Sequence, residues 1–146
     1  MRIDIVIRRC DMADAAALQH LSQEALGYDY PLSDLTAKLA KLLNVKTDMI
    51  LVAEKNGDVV GYIHAVDYDL LYAPHYKNIM GIAVLPEYRR QGIGKALLSA
   101  IEKWASETGA EAVRLCSGEE RTDAHEFYKK LGYVNNKKQL NFSKQL

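Results

Sequence analysis

Residues 82–95 read IAVLPEYRRQGIGK, and this stretch decides the fold of the chain. An apolar strand stops at Pro86, and a helix begins at Gly92. The first turn of a helix leaves backbone N–H groups without partners, and the aligned peptide dipoles add partial positive charge there. Three side chains add formal positive charge: Arg89, Arg90 and Lys95. The stretch therefore predicts a phosphate or pyrophosphate site between a strand and a helix.

Two familiar phosphate motifs do not fit this stretch. A dinucleotide-binding G-x-G-x-x-G would need glycine at position 97, where the chain has Leu97. A P-loop would need glycine at Arg89, and serine or threonine at Ala96. The alternative to an anion site is a turn whose glycines serve packing and whose arginines are solvated.

Composition favours one globular domain over residues 1–146. Basic and acidic residues number 19 each, so we expect no bulk attraction to nucleic acid or to an anionic membrane. Cys10 and Cys116 are far apart and predict two reduced thiols, with no disulfide framework and no metal site. No segment reads as a signal peptide or a membrane span, and we expect a cytoplasmic protein.

Apolar periodicity along the chain predicts the order β-α-α-β-β-β-α-β-α-β-β. The first strand starts at Ile3, and the last two strands are expected at 133–136 and 139–144. Asn56-Gly57 predicts a tight hairpin, because both residues tolerate positive φ. Ser33 is expected to cap the second helix. The fold class is therefore α/β of the α+β kind, with a mixed, mostly antiparallel sheet flanked by helices.

Two separated motifs resemble one known family. Arg89-Arg90-Gln91-Gly92-Ile93-Gly94 matches the [R/Q]-x-x-G-x-[G/A] signature of the GCN5-related N-acetyltransferase (GNAT) superfamily, and residues 123–133 resemble that family's final helix, A-x-x-F-Y-x-x-x-G-[F/Y]. The resemblance covers the whole chain in order. It implies a single twisted-sheet domain over 1–146, acetyl-CoA as acetyl donor, and N-acetyltransferase activity.

The resemblance also implies which residues hold the cofactor. Backbone amides of the loop would bind the CoA pyrophosphate, with the two arginines beside them: Arg89, Arg90, Gln91, Gly92, Ile93, Gly94, Lys95 and Ala96. The strand before the loop would pair with the pantetheine arm through Ile82, Ala83 and Val84. Such pairing makes physical sense, because pantetheine carries two amides that can copy a β-ladder.

Acetyl transfer needs a group that protonates the departing thiolate and a group that takes a proton from the amine. The resemblance implies that Tyr128 is the general acid and that a backbone N–H near Ile82 to Val84 stabilises the oxyanion. The alternative is that Tyr128 is a half-buried aromatic residue with a purely structural role.

The general base is less obvious from the sequence. Many relatives carry a glutamate a few residues ahead of Val84, and this chain has none there. We take His64 as the catalytic candidate, since a neutral imidazole can accept a proton directly or through water. The other candidates were these: Asp67, Tyr68, Asp69, His75 and His125. A structural role for His64, and an amine that needs no base, both stay open at this point.

Arg121 stands where relatives often have asparagine. Together with the residues that follow it and the chain end Asn141-Phe142-Ser143-Lys144-Gln145-Leu146, it resembles the branch that acetylates aminoalkylphosphonates. Arg121 would then contact the cofactor or an anionic group of the acceptor. A solvated arginine is the alternative.

The acceptor is expected to be the primary amine of a small molecule, held by loops at 27–32 and 68–77. Their tyrosines could equally form a homodimer interface. Two other functions stay open from the sequence: acetylation of a protein or peptide amine, and non-catalytic binding of acyl-CoA.

Overall fold

Five strands and four α-helices form in residues 4–146, which are the residues that the computed structural model describes. In chain order they are β1 (Ile5–Arg9), α1 (Ala15–Leu21), α2 (Leu32–Leu42), β2 (Asp48–Lys55), β3 (Asp58–Tyr68), β4 (Tyr76–Val84), α3 (Ile93–Glu107), β5 (Ala112–Leu115) and α4 (Thr122–Lys130). One compact unit runs to Leu115, and a second runs from Cys116 to Leu146. The start of the first strand predicted at Ile3 lies outside the described residues.

The sheet belongs to the first unit and has the spatial order β1-β2-β3-β4-β5. The first four strands are antiparallel neighbours, and β5 runs parallel to β4. Asn56 and Gly57 both have positive φ, at 53° and 84°, and they turn β2 into β3 as the sequence predicted. The predicted fold class, a mixed and mostly antiparallel sheet with helices, is confirmed.

The capping box at the entry to α1 ties the first helix to the sheet. Asp11 caps a 3₁₀ turn that leads into α1, and the Asp14 carboxylate accepts the Asp11 N–H at 2.9 Å. Arg8 on β1 donates two hydrogen bonds of 2.8 Å to Asp14 and one of 2.7 Å to Glu54 on β2. These bonds hold the pKa of Asp14 below its ordinary value, although burial opposes them.

Helices pack on both faces of the sheet. Cys10, which follows β1, joins buried residues of α1, α2 and β2 in one cluster; the other members are Ala15, Leu18, Leu39, Ile50 and Val52. Strand alternation places α3 on the opposite face, where Gly61 allows close contact. A Cβ at Gly61 would lie 3.1 Å from Ala83 O and 3.2 Å from Ile93 Cγ2. A larger residue there would require these neighbours to shift by a few tenths of an ångström or more.

The two strands predicted at 133–136 and 139–144 are wrong, since no strand follows α4 in the described chain. Val134, Leu140 and Phe142 stay exposed, and the segment between carries Lys137 and Lys138. A hairpin that buries no apolar face is marginal in water, which accounts for the failure.

Two smaller expectations also differ. Helix α2 begins at Leu32 with Pro31 at its N-cap, so Ser33 lies inside the helix and does not cap it. Proline is well suited to a helix start because it needs no N–H partner there. In the described part of the chain, no helix is both long and apolar enough to cross a membrane.

Candidate functional site

The loop between β4 and α3 holds the residues from which the sequence predicts an anion site. A 3₁₀ turn at Pro86–Tyr88 follows the strand, and then Arg90 and Gly92 take positive φ, at 62° and 84°. Gly92 is the N-cap of α3 and has no side-chain cap. The Ala96 N–H bonds to Gly92 O at 3.0 Å. The N–H groups of residues 93–95 precede this first helical bond and point out of the helix start.

The space in front of this helix start is open and positively charged. Apart from its chain neighbours and the adjacent helix backbone, a Cβ built at Gly92 would meet no atom of the described residues within 4 Å. Arg89, Arg90 and Lys95 are exposed around it. An anion can therefore approach the backbone N–H groups with formal charge beside them.

Lys55 is a further cation here that the sequence reasoning missed. Its Nζ donates to Gln91 Oε1 at 3.1 Å and lies 5.4 Å from the centre of the Tyr88 ring. Lys55 is the last residue of β2, directly before the Asn56-Gly57 turn. The predicted hairpin shows that Lys55 ends a strand. Its contact with Gln91 in the loop before α3 depends on the tertiary fold.

Strand β4 has an open edge just before the loop. It pairs with β5 from Tyr76 to Ile79 and then continues to Val84 without a β5 partner. Its other edge stays paired with β3 along this stretch. Alternate backbone N–H and C=O groups of an antiparallel strand point to each side, so half of those in residues 80–84 have no ladder partner. The predicted pantetheine contacts Ile82, Ala83 and Val84 lie on this open edge.

A β-bulge at Met80 coincides with the end of the β5 pairing. Ala65 pairs with Ile79 and His64 pairs with Gly81, which leaves Met80 as an extra residue in β4. Met80 is 59% exposed. A bulge bends its strand and increases the local twist. The bulge therefore lies where the pairing ends, at the last residue of β5.

His64 lies on the α1/α2 face of β3, where it lines a pocket of about 200 Å³. Apolar side chains dominate the lining, with a few polar groups among them. The lining residues are Leu18, Ser22, Tyr30, Leu35, Lys38, Leu39, Leu42, Ile50, Tyr62 and His64. Tyr30 comes from the predicted acceptor loop at 27–32. A small molecule with an apolar body would suit this pocket.

Two hydrogen bonds order the polar side of this pocket. His64 Nε2 lies 2.7 Å from Asp48 Oδ2, and Tyr62 Oη lies 3.4 Å from Ser22 Oγ. Ser22 begins a π-helical turn that continues α1 to Leu26. Such turns are frequent at functional sites. Asp48 was not among the sequence candidates, because its link to His64 depends on the β2–β3 register.

The other base candidates are engaged elsewhere or exposed. Asp67 accepts hydrogen bonds from Lys77 and from His75, the latter at 3.0 Å. Burial opposes the charge of Asp67, but these bonds prevail and hold its pKa below the ordinary value. The Arg114 guanidinium lies 4.3 Å from the Tyr68 ring centre.

Two further candidates complete the set. Asp69 is exposed. In the second unit, His125 Nε2 lies 2.9 Å from Gly118 O.

Tyr128 lies on α4 in the second unit. Its ring makes edge-to-face contacts with Phe127 and Tyr133, with centroids 5.3 Å and 6.1 Å apart. Burial raises the pKa of the Tyr128 hydroxyl, and the nearby Arg121 guanidinium only partly offsets this. The phenol therefore keeps its proton at neutral pH, as a general acid must. Arg121 itself is exposed at the N-terminus of α4.

Comparison with known proteins gives consistent results. Residues 15–133 match the model of the acetyltransferase (GNAT) family, a match that runs through both units. An aminoalkylphosphonate N-acetyltransferase of Salmonella typhimurium is 40% identical over 83 residues, which cover 56% of this chain and 54% of that relative. The uncharacterized N-acetyltransferase YhfO of Bacillus subtilis is 30% identical over 87% of this chain and 88% of its own.

A solved structure shows the same fold. The aminoglycoside N-acetyltransferase AAC(6')-Iy, in complex with CoA, superposes with a TM-score of 0.89 at 19% identity. The superposition covers 100% of this chain and 98% of that one. The loop N–H groups with their cations suit a pyrophosphate, and the open β4 edge suits a pantetheine arm. The chain therefore belongs to the acetyltransferase (GNAT) family, and acetyl-CoA is its cosubstrate.

Proposed function

We propose that this protein transfers an acetyl group from acetyl-CoA directly to the primary amine of a small molecule. The observation that carries the proposal is the position of the apolar pocket. His64, which lines the pocket, is the register partner of Gly81 at the start of the open β4 edge. Acceptor and cosubstrate would then meet across two adjacent strands, which is the proximity that a direct transfer requires.

Each proposed catalytic residue has a distinct task. When bound, acetyl-CoA supplies the acetyl group as an activated thioester. His64 takes a proton from the acceptor amine, and Tyr128 holds the proton that the departing sulfur needs. A backbone N–H of the open β4 edge, among Ile82 to Val84, donates to the oxygen on which negative charge develops. The Tyr128 phenol is protonated at neutral pH, as this task requires, and burial raises its pKa further, which makes it a weaker acid.

The first acceptors to test are aminoalkylphosphonates. The Salmonella relative acts on this class by its name. Lys38 is a cation among the pocket residues and would suit a phosphonate, and Arg121 is a second candidate for the same group. Aminoglycosides come next, because the AAC(6')-Iy structure shares the fold.

The proposal also covers location and assembly. Cys10 and Cys116 are both thiols outside any disulfide, which fits a reducing cytoplasm. Tyr28 and Tyr72 are strongly exposed and would suit either a second subunit or a large acceptor. Light scattering of the purified protein, with and without acceptor, distinguishes the two.

Release of free thiol from acetyl-CoA tests the function. We expect amine-dependent release with at least one small amine from a panel of aminoalkylphosphonates, aminoglycosides and polyamines, and no comparable release with peptides. Release only with peptides would favour the protein-acetylating alternative. Binding of acetyl-CoA in a thermal-shift assay without any turnover would favour a non-catalytic module.

A further inference from the structure

Asp48 and His64 form a hydrogen-bonded pair beside the pocket. Asp48 opens β2 and His64 lies in β3, and the two atoms Oδ2 and Nε2 are 2.7 Å apart. The two side chains are only 10% and 20% exposed, respectively. A contact so shielded from water is stronger than a surface pair.

The Asp48 carboxylate is held from a second side. The Thr47 hydroxyl donates to Asp48 Oδ1 at 2.9 Å. The Thr47 carbonyl accepts the Asp67 N–H at 2.8 Å, which extends the β2–β3 ladder past the strand end. Both carboxylate oxygens are thus bonded, and the backbone that carries them is anchored to β3.

This arrangement selects one tautomer of the imidazole. An ionised carboxylate accepts hydrogen bonds and cannot donate them, so Nε2 of His64 must carry a hydrogen. In a neutral ring the lone pair then lies on Nδ1. Within residues 4–146, His64 Nδ1 has no hydrogen-bond partner. The ring therefore offers a basic nitrogen while its other nitrogen is fixed.

We propose that Asp48 is a positioning residue for the acetyl transfer. It holds His64 in the Nε2–H tautomer and stabilises the imidazolium that forms when Nδ1 takes a proton from the acceptor. In that step an N–H bond of the amine breaks, an Nδ1–H bond forms, and the electron pair stays on the amine nitrogen. The inference rests on the proposed function, since it assigns His64 as the base.

The second His–Asp pair of the first unit shows what a structural pair looks like. His75 shares Asp67 Oδ1 with Lys77. Lys77 is buried, and its Nζ lies 3.8 Å from the centre of the Trp104 ring. Asp67 thus balances a buried cation, and neither Asp67 nor His75 lines the pocket with His64. By contrast, His64 is the only ionisable side chain among the described residues that bonds to the Asp48 carboxylate.

Kinetics of Asp48→Asn provide the first test. We expect kcat to fall by roughly 10- to 100-fold with the KM for acetyl-CoA unchanged, because the tautomer is no longer imposed. The kcat of His64→Gln should fall by at least as much. The double variant should be no slower than His64→Gln alone, because Asp48 acts only through His64. Asp58→Asn, an exposed change at the start of β3, is the matched control and should keep wild-type kcat.

Nitrogen-15 NMR of the four histidine rings gives a readout independent of activity. We expect one ring, absent from the His64→Gln spectrum, to be an Nε2–H tautomer in the wild type. Asp48→Asn should shift it toward a mixture, whereas Asp58→Asn should not.

Three results would overturn the positioning role. The first is an Nδ1–H tautomer of His64 in the wild type, and the second is an additive loss of kcat in the double variant. Wild-type kcat in His64→Gln would overturn it too, and acetyl transfer itself would still stand. If the wild type released no thiol with any amine, the proposed function would fail, and the tautomer spectrum would decide the pairing by itself.

Discussion

Gly81 lies directly opposite His64 in the β3–β4 ladder, one residue after the bulge at Met80. Opposed residues of an antiparallel pair present their side chains on the same face. Many of the relatives that the sequence resembles carry a glutamate on this strand. Here β4 has Gly81, and the His64 imidazole on β3 lies on the face of the sheet to which a side chain at position 81 would point. The pairing places the His64 imidazole opposite Gly81, and Tyr62 follows it opposite Ala83 on the same face.

Neutralising the loop arginines should weaken cofactor binding. We expect Arg89→Gln with Arg90→Gln to raise the Kd for acetyl-CoA by roughly tenfold at low salt, because two exposed charges near a pyrophosphate are lost. The difference from wild type should shrink at high ionic strength. Isothermal titration at low and at high salt measures the Kd of each protein. Lys103→Gln, an exposed change on α3, is the control. An unchanged Kd in the double variant would remove these arginines from the site.

Alanine at Gly92 should damage both stability and binding. Its φ of 84° disfavours any Cβ, so unfolding free energy should drop by about 1–2 kcal/mol. The new methyl group would also stand in the open space where an anion approaches. Gly109→Ala is a matched control, since Gly109 has a φ of 82° and nothing within 4 Å. In denaturation, we expect both variants to lose the same unfolding free energy. In titration, only Gly92→Ala should lose affinity for acetyl-CoA. Equal affinities would contradict the anion site.

Removing the Tyr128 hydroxyl should slow turnover without weakening binding. We expect Tyr128→Phe to lower kcat by roughly 10²-fold with KM values nearly unchanged. Tyr133→Phe is the control, because the family motif accepts either residue there. Since the pKa of Tyr128 is raised, the wild-type rate should show no loss from its ionisation until above the ordinary tyrosine pKa of about 10. Wild-type turnover in Tyr128→Phe would exclude the general-acid role.

The Arg8–Asp14 bond should make stability depend on acid pH. The folded-state pKa of Asp14 lies below its ordinary value of 3.8. Its contribution is therefore present above that pH and disappears as the pH falls through the folded-state pKa. We expect Asp14→Asn to cost about 1–3 kcal/mol near pH 7 and progressively less below pH 4. Thermal melts across pH measure the difference, with Asp58→Asn as control. If the stability difference between wild type and Asp14→Asn stayed constant into strong acid, the role of the Arg8–Asp14 bond would be contradicted.

The two cysteines should differ sharply in reactivity. Burial raises the pKa of the Cys10 thiol to about 12, and the Asp14 charge adds to this. Cys116 is exposed. Because the thiolate is the reactive form, iodoacetamide at pH 8 should modify only Cys116 in the folded protein. Mass spectrometry should find one adduct in the wild type and none in Cys116→Ser until the chain is denatured. An adduct on native Cys10 would show that this part of the core opens.

The loop at Arg89 to Ala96 was predictable because its signals are local. The proline and the glycines act through the backbone conformation of their own residues, and the charges lie within the same short stretch. The same reasoning failed for residues 133–144. Alternation of apolar residues indicates a strand only where a neighbouring strand can complete the ladder, and periodicity does not reveal that neighbour.

Turn residues and apolar periodicity are local signals, so they were enough to predict the order of strands and helices through Lys130 and the start of α3 at the glycine loop. The remaining geometry of the candidate site depends on tertiary contacts. The bulge at Met80, the separation of β4 from β5 and the pairing of Asp48 with His64 all depend on how distant strands align. Strand register is a property of two or more segments, so no single stretch of residues specifies it.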